Sequence, residues 1–480
     1  MASRLSVTSA VNRPNISTTH YEEEPLYALL NLQPQVVSDN RQRPSLNLCL
    51  VIDASGTMYN FQLSPDEREY WMGVALARDE MERGEADERD AVYWSGQTLQ
   101  EMQSIVRKPM TMAIEAIKRL LQDLQHADQA AVVAFADLTQ TLFNEEDWAS
   151  NPEHCLGQLD NLLEQRLPVD IGHGTKMAQS LTTAHNLVKK HAAPNSINRI
   201  IVLSDGIVQD RTETLGAIES IERDGVAVTT IGVGDEFDEE FLMRVADSSR
   251  GAYHYAADIQ EITQRLMEEL TAIQATALQN VRIAAQGIGG CVVQDVFMVR
   301  PSMTIFEEME IDGGWVRARI GDLPADVPTA VLLQVAPSMQ ATGDHQIAEA
   351  RLSWQDPDGG SSDGSTSYVE AHYTDEPTLL AMRNHEVQGL VDRFSIYKFE
   401  REAQRAQEKG DLEQAREKLG AATRQLHQIG EDSLAEDLEK QMADLGTALQ
   451  DPSRVKRIKA TTRRLGEKVN AAQEPTAPGG

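Results

Sequence analysis

Three side chains that could bind a cation follow one short apolar run. Residues Leu46–Ile52 form a largely apolar stretch of strand length, and Asp53, Ser55 and Thr57 come directly after it. An acid followed by two hydroxyls at alternate positions is a compact group of hard oxygen ligands, which suits Mg²⁺, Mn²⁺ or Ca²⁺ and not zinc. For this motif alone, a Ser/Thr turn with a helix-capping aspartate is the alternative interpretation.

Two later segments carry oxygen ligands of the same kind. Thr175 follows Gly172 and Gly174 just before a predicted helix, and Asp205 follows the apolar run Arg199–Leu203. The carboxyl ends of parallel strands meet at one edge of a sheet, which is where ligands of such folds bind. Three loops at that edge can converge on one ion. The predicted metal ligands are Asp53, Ser55, Thr57, Thr175 and Asp205.

The elements that must position these ligands alternate between strand and helix over residues 45–272. Buried strands separated by amphipathic helices predict a doubly wound, Rossmann-like α/β domain with helices on both faces of a parallel sheet. Residues 59–106 interrupt this pattern, since a connection between a strand and its helix is usually 2–6 residues long. This insertion is strongly acidic, and Ser64-Pro65 resembles a helix start, so we predict helix within it.

The segments around the five ligands resemble the von Willebrand factor A family and its metal-ion-dependent adhesion site. LVIDASGTM, VVAFAD, GHGTKMAQSL and IIVLSDG are similar to bacterial, intracellular members of that family. The resemblance implies that Ser55, Thr57 and Thr175 contact the ion directly, while Asp53 and Asp205 act largely through water. The departures are Thr57 in place of the usual serine, His173 where a glycine is common, and the long insertion beside the site.

The same resemblance implies a binding function. Neutral hydroxyls next to a cation leave its charge under-neutralised, so that an Asp or Glu carboxylate of a protein partner can complete the site. We predict a metal-dependent protein–protein interaction module, not an enzyme, in a bacterial intracellular complex. The resemblance to this family implies an AAA+ ATPase or an operon-encoded protein as the partner. The predicted rim of the partner site is His173, Gly174, Gly206 and Met58.

Two other functions stay open at this point. The protein could be a scaffold whose metal is purely structural, or the metal could activate water for hydrolysis with Glu67 or Glu69 as the base. The insertion 59–106 is either a lid over the metal or a peripheral decoration.

The rest of the chain divides into regions that differ in their pattern of apolar and polar residues. Residues 1–15 are predicted to be disordered, and residues 16–44 to supply strands that complete a β-sandwich. Short alternating runs between turn clusters predict the antiparallel β-sandwich itself over residues 273–374. Residues 375–470 are predicted to form a helical bundle, and residues 471–480 a disordered tail.

One basic segment near the end stands out against this background. Residues 454–468 carry seven Lys and Arg residues and one Glu. They could dock onto the acidic surface of the same chain, onto a partner or onto nucleic acid, and the overall charge favours the first two.

Composition excludes several classes of protein. The 480 residues carry a net charge of −31, which disfavours binding to nucleic acid or to anionic membranes. The 3 cysteines lie far apart, so a thiolate zinc site and a disulfide scaffold are not expected. No apolar run has the length of a signal peptide or of a membrane span, so we expect a cytoplasmic protein.

Overall fold

Three structural parts follow from this sequence. A computed structural model describes residues 4–19, 25–35, 44–60, 65–83, 92–94, 96–105, 108–164, 167, 170–193, 196–233, 237–256, 259–306, 309–355, 361–446 and 452–466. An α/β domain lies between segments that build a β-sandwich, and a helical region follows the sandwich. The predicted tail at residues 471–480 lies outside the described residues.

The chain begins with three strands, namely β1 (Arg4–Val11), β2 (Asn15–Ile16) and β3 (Leu26–Gln35). Strand β1 pairs antiparallel with β3 and buries Leu5 and Val11. The predicted disorder of residues 1–15 is therefore wrong for residues 4–15, and residues 1–3 lie outside the described residues. Although the segment is mostly polar, its apolar residues recur at alternate positions, which is enough to cover one face of a sandwich.

The α/β domain follows with eight strands and nine helices within the described residues. The strands are β4 (Ser45–Asp53), β5 (Met81–Arg83), β6 (Val92–Trp94), β7 (Gln129–Phe135), β8 (Thr139–Phe143), β9 (Ser196–Ser204), β10 (Ala227–Val233) and β11 (Tyr253–Ala256). The helices are α1 (Pro65–Arg78), α2 (Gly96–Ile105), α3 (Pro109–Gln122), α4 (Glu145–Ser150), α5 (Pro152–Leu163), α6 (Ala178–Lys190), α7 (Arg211–Arg223), α8 (Glu239–Ser249) and α9 (Ile259–Gln274).

The main sheet of this domain has the order β11-β10-β9-β4-β7-β8, and only β8 is antiparallel to its neighbour. Strand β4 is central and buried on both faces. Leu48, Leu50 and Ile52 pack on one side of the sheet, while Cys49 and Val51 pack on the other. A strand covered on both faces by helices is expected to be apolar throughout, and this explains why residues 46–52 do not alternate.

The described residues of the insertion form helices α1 and α2 and the two-stranded ribbon of β5 and β6. Helix α1 begins at Pro65, as predicted. The carboxylate of Glu80 accepts hydrogen bonds from the backbone N–H groups of Gln97 and Thr98 at the start of α2. Arg78 of α1 forms an ion pair of 2.9 Å with Glu101 of α2. The insertion thus has internal structure of its own.

The β-sandwich is completed after the α/β domain. Its later strands are β12 (Thr276–Gly287), β13 (Val292–Arg300), β14 (Thr304–Ile305), β15 (Glu310–Asp312), β16 (Trp315–Pro324), β17 (Thr329–Ala336), β18 (Gly343–Gln355) and β19 (Ser361–Tyr373). One sheet has the order β1-β3-β17-β13-β14 and the other the order β15-β16-β12-β18-β19-β2. Since the first three strands of the chain enter both sheets, the α/β domain is an insertion in the sandwich.

The helical region consists of α10 (Pro377–Leu380), α11 (His385–Glu408), α12 (Leu412–Gln428), α13 (Asp432–Ala443) and α14 (Pro452–Arg463). Gly410 follows α11 with φ 78°, and the Asp411 side chain accepts a hydrogen bond from Gln414 N at the start of α12. These are the stop and start signals that the sequence predicts there. No helix in the described ranges is long and apolar enough to cross a bilayer.

Helix α14 returns to the α/β domain and brings its basic residues with it. Lys456 Nζ donates to the carbonyl oxygen of Phe237 at 2.9 Å and lies 3.7 Å from the centroid of the Phe237 ring. Lys459 pairs with Glu239 at 3.3 Å, and Arg463 pairs with Asp247. Of the alternatives left open for residues 454–468, the structure shows docking onto the acidic surface of the same chain.

The contact between α14, α8 and α11 buries acidic groups. Glu239 and Glu400 are 4% and 2% exposed, and the Glu400 Oε2 atom has no hydrogen-bond partner within the described ranges. Burial raises the pKa of Glu400 to about 7, although Lys459 and Arg401 both lower it. A buried carboxyl group with a raised pKa makes the folded state less stable when it ionises.

This burial predicts a pH-dependent effect of Glu400→Gln. Because the pKa is higher in the folded state, the contribution of Glu400 to the free energy of unfolding is present below pH 4.5 and is lost as the pH rises through 7. The full shift corresponds to about 3 kcal/mol. We expect the melting temperature of Glu400→Gln, relative to wild type, to rise between pH 5 and pH 8. Exposed Glu417→Gln on α12 is the control, and an equal response of both variants would contradict the prediction.

Candidate metal centre

The site lies at the carboxyl edge of the main sheet, where β4 ends between its two neighbours. Strand β4 pairs with β9 up to Ile52 and Leu203, and with β7 up to Asp53 and Phe135. The segments that leave β4, β7 and β9 therefore begin side by side. We call residues 54–57, after β4, the first loop, residues 170–177, before α6, the second loop, and residues 205–210, after β9, the third loop. This arrangement brings residues that are up to about 150 positions apart in the sequence to one edge.

Asp53 is fully buried at this edge, and its carboxylate connects the turn after β4 with the end of β9. Its Oδ1 atom accepts a hydrogen bond from Ser55 N at 2.9 Å, and its Oδ2 atom accepts one from Ser204 Oγ at 2.5 Å. Burial raises the pKa of Asp53 to about 6, while the hydrogen bonds from Ser204 and Ser55 limit the rise. Ser204 was not among the predicted site residues, although it directly precedes Asp205.

A chain of short contacts runs from the first loop to the third. Ser55 Oγ lies 3.0 Å from Thr57 Oγ1, and Thr57 Oγ1 donates to Asp205 Oδ1 at 2.8 Å. Asp205 is fully buried and Ser55 is 2% exposed. Four of the five predicted ligands are thus connected through hydrogen bonds and the short turn that follows β4.

Thr175, the fifth predicted ligand, joins the group from the second loop. A Cβ atom placed on Gly206 would lie 2.9 Å from Thr175 Oγ1 and 3.3 Å from Asp53 Oδ2. The hydroxyl and the carboxylate therefore lie against the same face of Gly206, where only a glycine fits. Gln209 N donates to the Thr175 carbonyl oxygen at 2.9 Å and connects the second loop to the third.

The second loop is positioned by an acid that the sequence analysis missed. Asp137 follows β7, and its Oδ2 atom accepts hydrogen bonds from His173 N at 3.1 Å and Gly174 N at 3.0 Å. Lys176 pairs with the other oxygen at 3.2 Å. The backbone N–H groups of Gly174 and His173, together with Lys176, lower the pKa of Asp137. Asp137 follows a buried strand, as Asp53 and Asp205 do, and that signal could have identified it.

The four residues predicted to form the rim differ in exposure. His173 is exposed, and its carbonyl oxygen accepts a hydrogen bond from Gly56 N at 3.2 Å. Gly174 is half-buried, whereas Gly206 lies beneath the hydroxyls. Met58 is fully buried in the core, so its prediction as a rim residue is wrong. The short 3-10 helix Gly56–Tyr59 turns the Met58 side chain inward.

Two exposed apolar residues on the same loops take the place of Met58. Leu138 follows Asp137 and is 51% exposed, and Ile207 follows Gly206 and is 59% exposed. Exposed apolar side chains are common singly, and these two directly follow the site residues Asp137 and Gly206 in the sequence.

The donor set determines which metals suit this edge. It consists of two carboxylates and three hydroxyls, which match hard cations such as Mg²⁺, Ca²⁺ or Mn²⁺. In the parts of the chain that the structure covers, no group of three or more His, Cys, Asp or Glu side chains is arranged to hold a metal ion. The hydroxyls of Ser55, Thr57 and Thr175 are therefore essential to any site here. All 3 cysteines are buried and free.

Two family models match the chain. The von Willebrand factor type A domain matches residues 102–269, and the Sll0103-like, C-terminal alpha-helical domain matches residues 385–468. The first match contains Thr175 and Asp205 and begins within the insertion, after Asp53, Ser55 and Thr57.

Among individual proteins, the uncharacterized protein sll0103 of Synechocystis is 23% identical over 329 residues, which cover 67% of this chain and 64% of that protein. The chain thus spans slightly less than two thirds of this relative. A von Willebrand factor type A structure from Catenulispora acidiphila superposes with a TM-score of 0.69 at 16% identity, covering 95% of this chain and 96% of that one. The ArnB paralog VWA2 from Sulfolobus acidocaldarius gives a TM-score of 0.51 at 14% identity, with 96% and 99% covered. At these identities the structures establish a shared fold.

The role of Asp137 in positioning the second loop can be tested directly. Asp137→Ala removes the acceptor for His173 N and Gly174 N, so we expect the amide hydrogens of these two residues to exchange at least tenfold faster. The amides of β4 should keep their protection, because their hydrogen bonds do not involve Asp137. Native-state hydrogen exchange measures both, with exposed Asp123→Ala at the end of α3 as the control. Unchanged exchange at His173 and Gly174 would show that Asp137 does not hold this loop.

Proposed function

Since the chain contains a von Willebrand factor type A domain, we propose that its edge of hydroxyls and carboxylates binds a divalent cation, and that this cation captures a carboxylate of a protein partner. Domains of this family are known for protein–protein interaction. The proposal concerns the metal, which we infer to be Mg²⁺ with Ca²⁺ and Mn²⁺ as competitors, and the chemistry of the partner. The residues that would hold the ion are Asp53, Ser55, Thr57, Thr175 and Asp205.

One observation carries this proposal, namely the contacts that connect the three loops. The Ser55–Thr57–Asp205 chain has separations of 3.0 and 2.8 Å, and Asp53 and Thr175 face the same glycine. Five oxygen-bearing side chains from distant parts of the sequence therefore surround one small volume. A cation there would supply positive charge beside two buried carboxylates.

The balance of charge favours partner capture. Two aspartates and three neutral hydroxyls are a modest negative set for a divalent ion, and hydroxyls in direct contact neutralise none of its charge. An external carboxylate is then a favourable additional ligand. Leu138 and Ile207, which are exposed on the surrounding loops, would contact the apolar surface around that carboxylate.

Two rival functions make different predictions. A scaffold with a structural metal would bind the ion equally well with and without its partner, whereas capture requires the metal and the partner to tighten each other's binding. A metal-assisted hydrolase would turn over phosphoesters. Glu69, one of the two suggested bases, is exposed on α1, and the side chain of Glu67 lies outside the described residues. Hydrolysis across a phosphoester panel would support that rival.

The location and the partner remain proposals. We propose an intracellular bacterial complex, in which an AAA+ ATPase or an operon-encoded protein is the partner implied by the resemblance. Pull-down from lysate with and without chelator identifies a partner whose capture depends on the metal.

Asp53→Asn tests the metal site. The substitution preserves size and removes the charge of a buried carboxylate, so we expect the fold to persist while Mg²⁺ affinity falls at least tenfold. Calorimetric titration with Mg²⁺, Ca²⁺ and Mn²⁺ measures the affinity, and exposed Asp123→Asn is the matched control. Metal affinity equal to wild type in a folded Asp53→Asn protein would overturn the proposed ligand set.

Ile207→Asp separates partner binding from metal binding. Ile207 is 59% exposed, so the change should leave the fold as in wild type, and the Mg²⁺ affinity should be equal to or higher than that of wild type because a nearby negative charge attracts the cation. We expect at least a tenfold loss of chelator-sensitive partner capture, because an added negative charge beside the ion repels a carboxylate and removes apolar contact. Met382→Asp, at a residue 53% exposed in the helical region, is the control. Full partner capture by Ile207→Asp would place the contact surface elsewhere.

A further inference from the structure

A second cavity lies between the α/β domain and the sandwich. It has a volume of about 800 Å³. One wall is formed by helices α7 and α8, and the other by the outer face of the sheet that contains β12, β16 and β18. Its lining residues are separate from those of the metal edge. The volume is in the range of roughly 300–1,000 Å³ that small-molecule sites occupy.

The charge of this cavity is opposite to that of the protein. Seven arginines and three glutamates line it, and the lining contains no lysine or aspartate. The chain as a whole carries a net charge of −31. Seven arginines against three glutamates give the lining a net charge of +4. A concave surface with a net positive lining concentrates anions, so this cavity attracts them while the rest of the molecule repels them.

The strand register places four of these arginines close together on the sheet. Arg282 of β12 is directly opposite Arg319 of β16. In the next row on the same face, Ala284 of β12 lies between Arg317 of β16 and Arg351 of β18. Like charges directly opposite each other on a sheet are destabilising, and a small residue between two arginines leaves room above it. This arrangement costs stability in the absence of an anion.

Acidic side chains of the protein neutralise only some of these four arginines. Arg319 pairs with Glu222, and Arg351 pairs with Glu349 at 2.7 Å. The side chain of Arg282 forms no hydrogen bond or ion pair within the described parts of the chain, and the same holds for Arg223 at the end of α7. Burial and the neighbouring Arg319 lower the pKa of Arg282.

The ion pair that Arg317 forms is long. Arg317 Nη1 lies 3.9 Å from Asp312 and, although it is buried, has no hydrogen-bond partner among the residues that the structure describes. The guanidinium groups of Arg282 and Arg317 thus form no short ion pair with those residues, and the exposed part of the Arg317 side chain faces solvent.

We infer that this cavity is a binding site for a small anion that carries two or more phosphate or carboxylate groups. Arginine forms planar, two-pronged hydrogen bonds that fit phosphate and carboxylate oxygens, and its exclusive use here over lysine favours such a ligand. Several acidic groups are needed to reach both rows of the sheet. The inference is independent of the proposed metal-dependent function, because none of the metal-edge residues lines the cavity.

Ligand binding here would join two parts of the protein. The arginines of the sheet belong to the sandwich, whereas Arg223 and Glu222 belong to the α/β domain. An anion held by both walls would stabilise the folded arrangement of the two, and therefore raise the melting temperature.

The test uses the full chain, freed of metal by passage over a chelating resin, and two probes, inorganic tripolyphosphate and citrate, in metal-free buffer without a soluble chelator. Calorimetry at low salt measures their affinities for wild type, for the double variant R282Q/R317Q, and for R416Q, which removes an exposed arginine of α12. We expect wild type and R416Q to bind at least one probe equally well, and R282Q/R317Q to bind it at least tenfold more weakly. Because both changes relieve like-charge repulsion, the double variant should fold with a melting temperature at or above that of wild type.

Citrate binding as tightly as the more highly charged tripolyphosphate favours a polycarboxylate ligand, whereas binding of tripolyphosphate alone favours a phosphorylated one. The inference is overturned if wild type binds neither probe, if R282Q/R317Q binds as wild type does, or if R416Q loses as much affinity as the double variant. Asp53→Asn should bind the probes as wild type does, so failure of the metal site and failure of this cavity are distinguishable.

Discussion

The buried carboxylate of Asp53 is the constraint around which the α/β domain is arranged. It ends the central strand, accepts hydrogen bonds from the turn after β4 and from the end of β9, and is fully removed from solvent. Such a group is costly to bury unless its oxygens are satisfied. Ser55 and Ser204 satisfy them, and in doing so they fix the first and third loops relative to each other. This pair of hydrogen bonds therefore helps to fix the positions of the hydroxyls in the site.

A second constraint operates at the other side of the domain, where α14 returns. Its lysines and Arg463 contact Phe237, Glu239 and Asp247, which all belong to the α/β domain. The C-terminal helical region is therefore attached to the α/β domain through buried ion pairs as well as through apolar surface. Such pairs fix orientation more than they add stability, because each ion loses its hydration on burial.

The sequence predicted the parts of the fold that depend on local pattern. The apolar run before Asp53 and the alternation of strands and helices both follow from residues close together in the chain. The ligand set could be proposed because acids and hydroxyls follow buried strands, and the same rule would have included Asp137. The prediction of disorder was wrong for residues 4–15 because the segment is polar in composition, while Leu5 and Val11 lie on the same face of a strand.

Other features depend on tertiary structure. The burial of Met58 is decided by a 3-10 turn, and the destination of α14 by acidic groups more than 200 residues away. The arginine rows of the sandwich exist only once the register of β12, β16 and β18 is known, since Arg282 and Arg319 are 37 positions apart. A pattern across strands leaves no signal in the linear sequence.

The pairing of β3 with β17 has a consequence for biosynthesis. Leu32 lies opposite Thr329, so almost 300 residues separate the two partners. At about 5–20 residues per second, a ribosome needs roughly 15–60 s to produce that intervening chain. During this interval β1 and β3 have open hydrogen-bonding edges, while the α/β domain can already fold. The first strands to emerge are thus among the last to find their place, and nascent chains are most vulnerable to edge-to-edge association in that period.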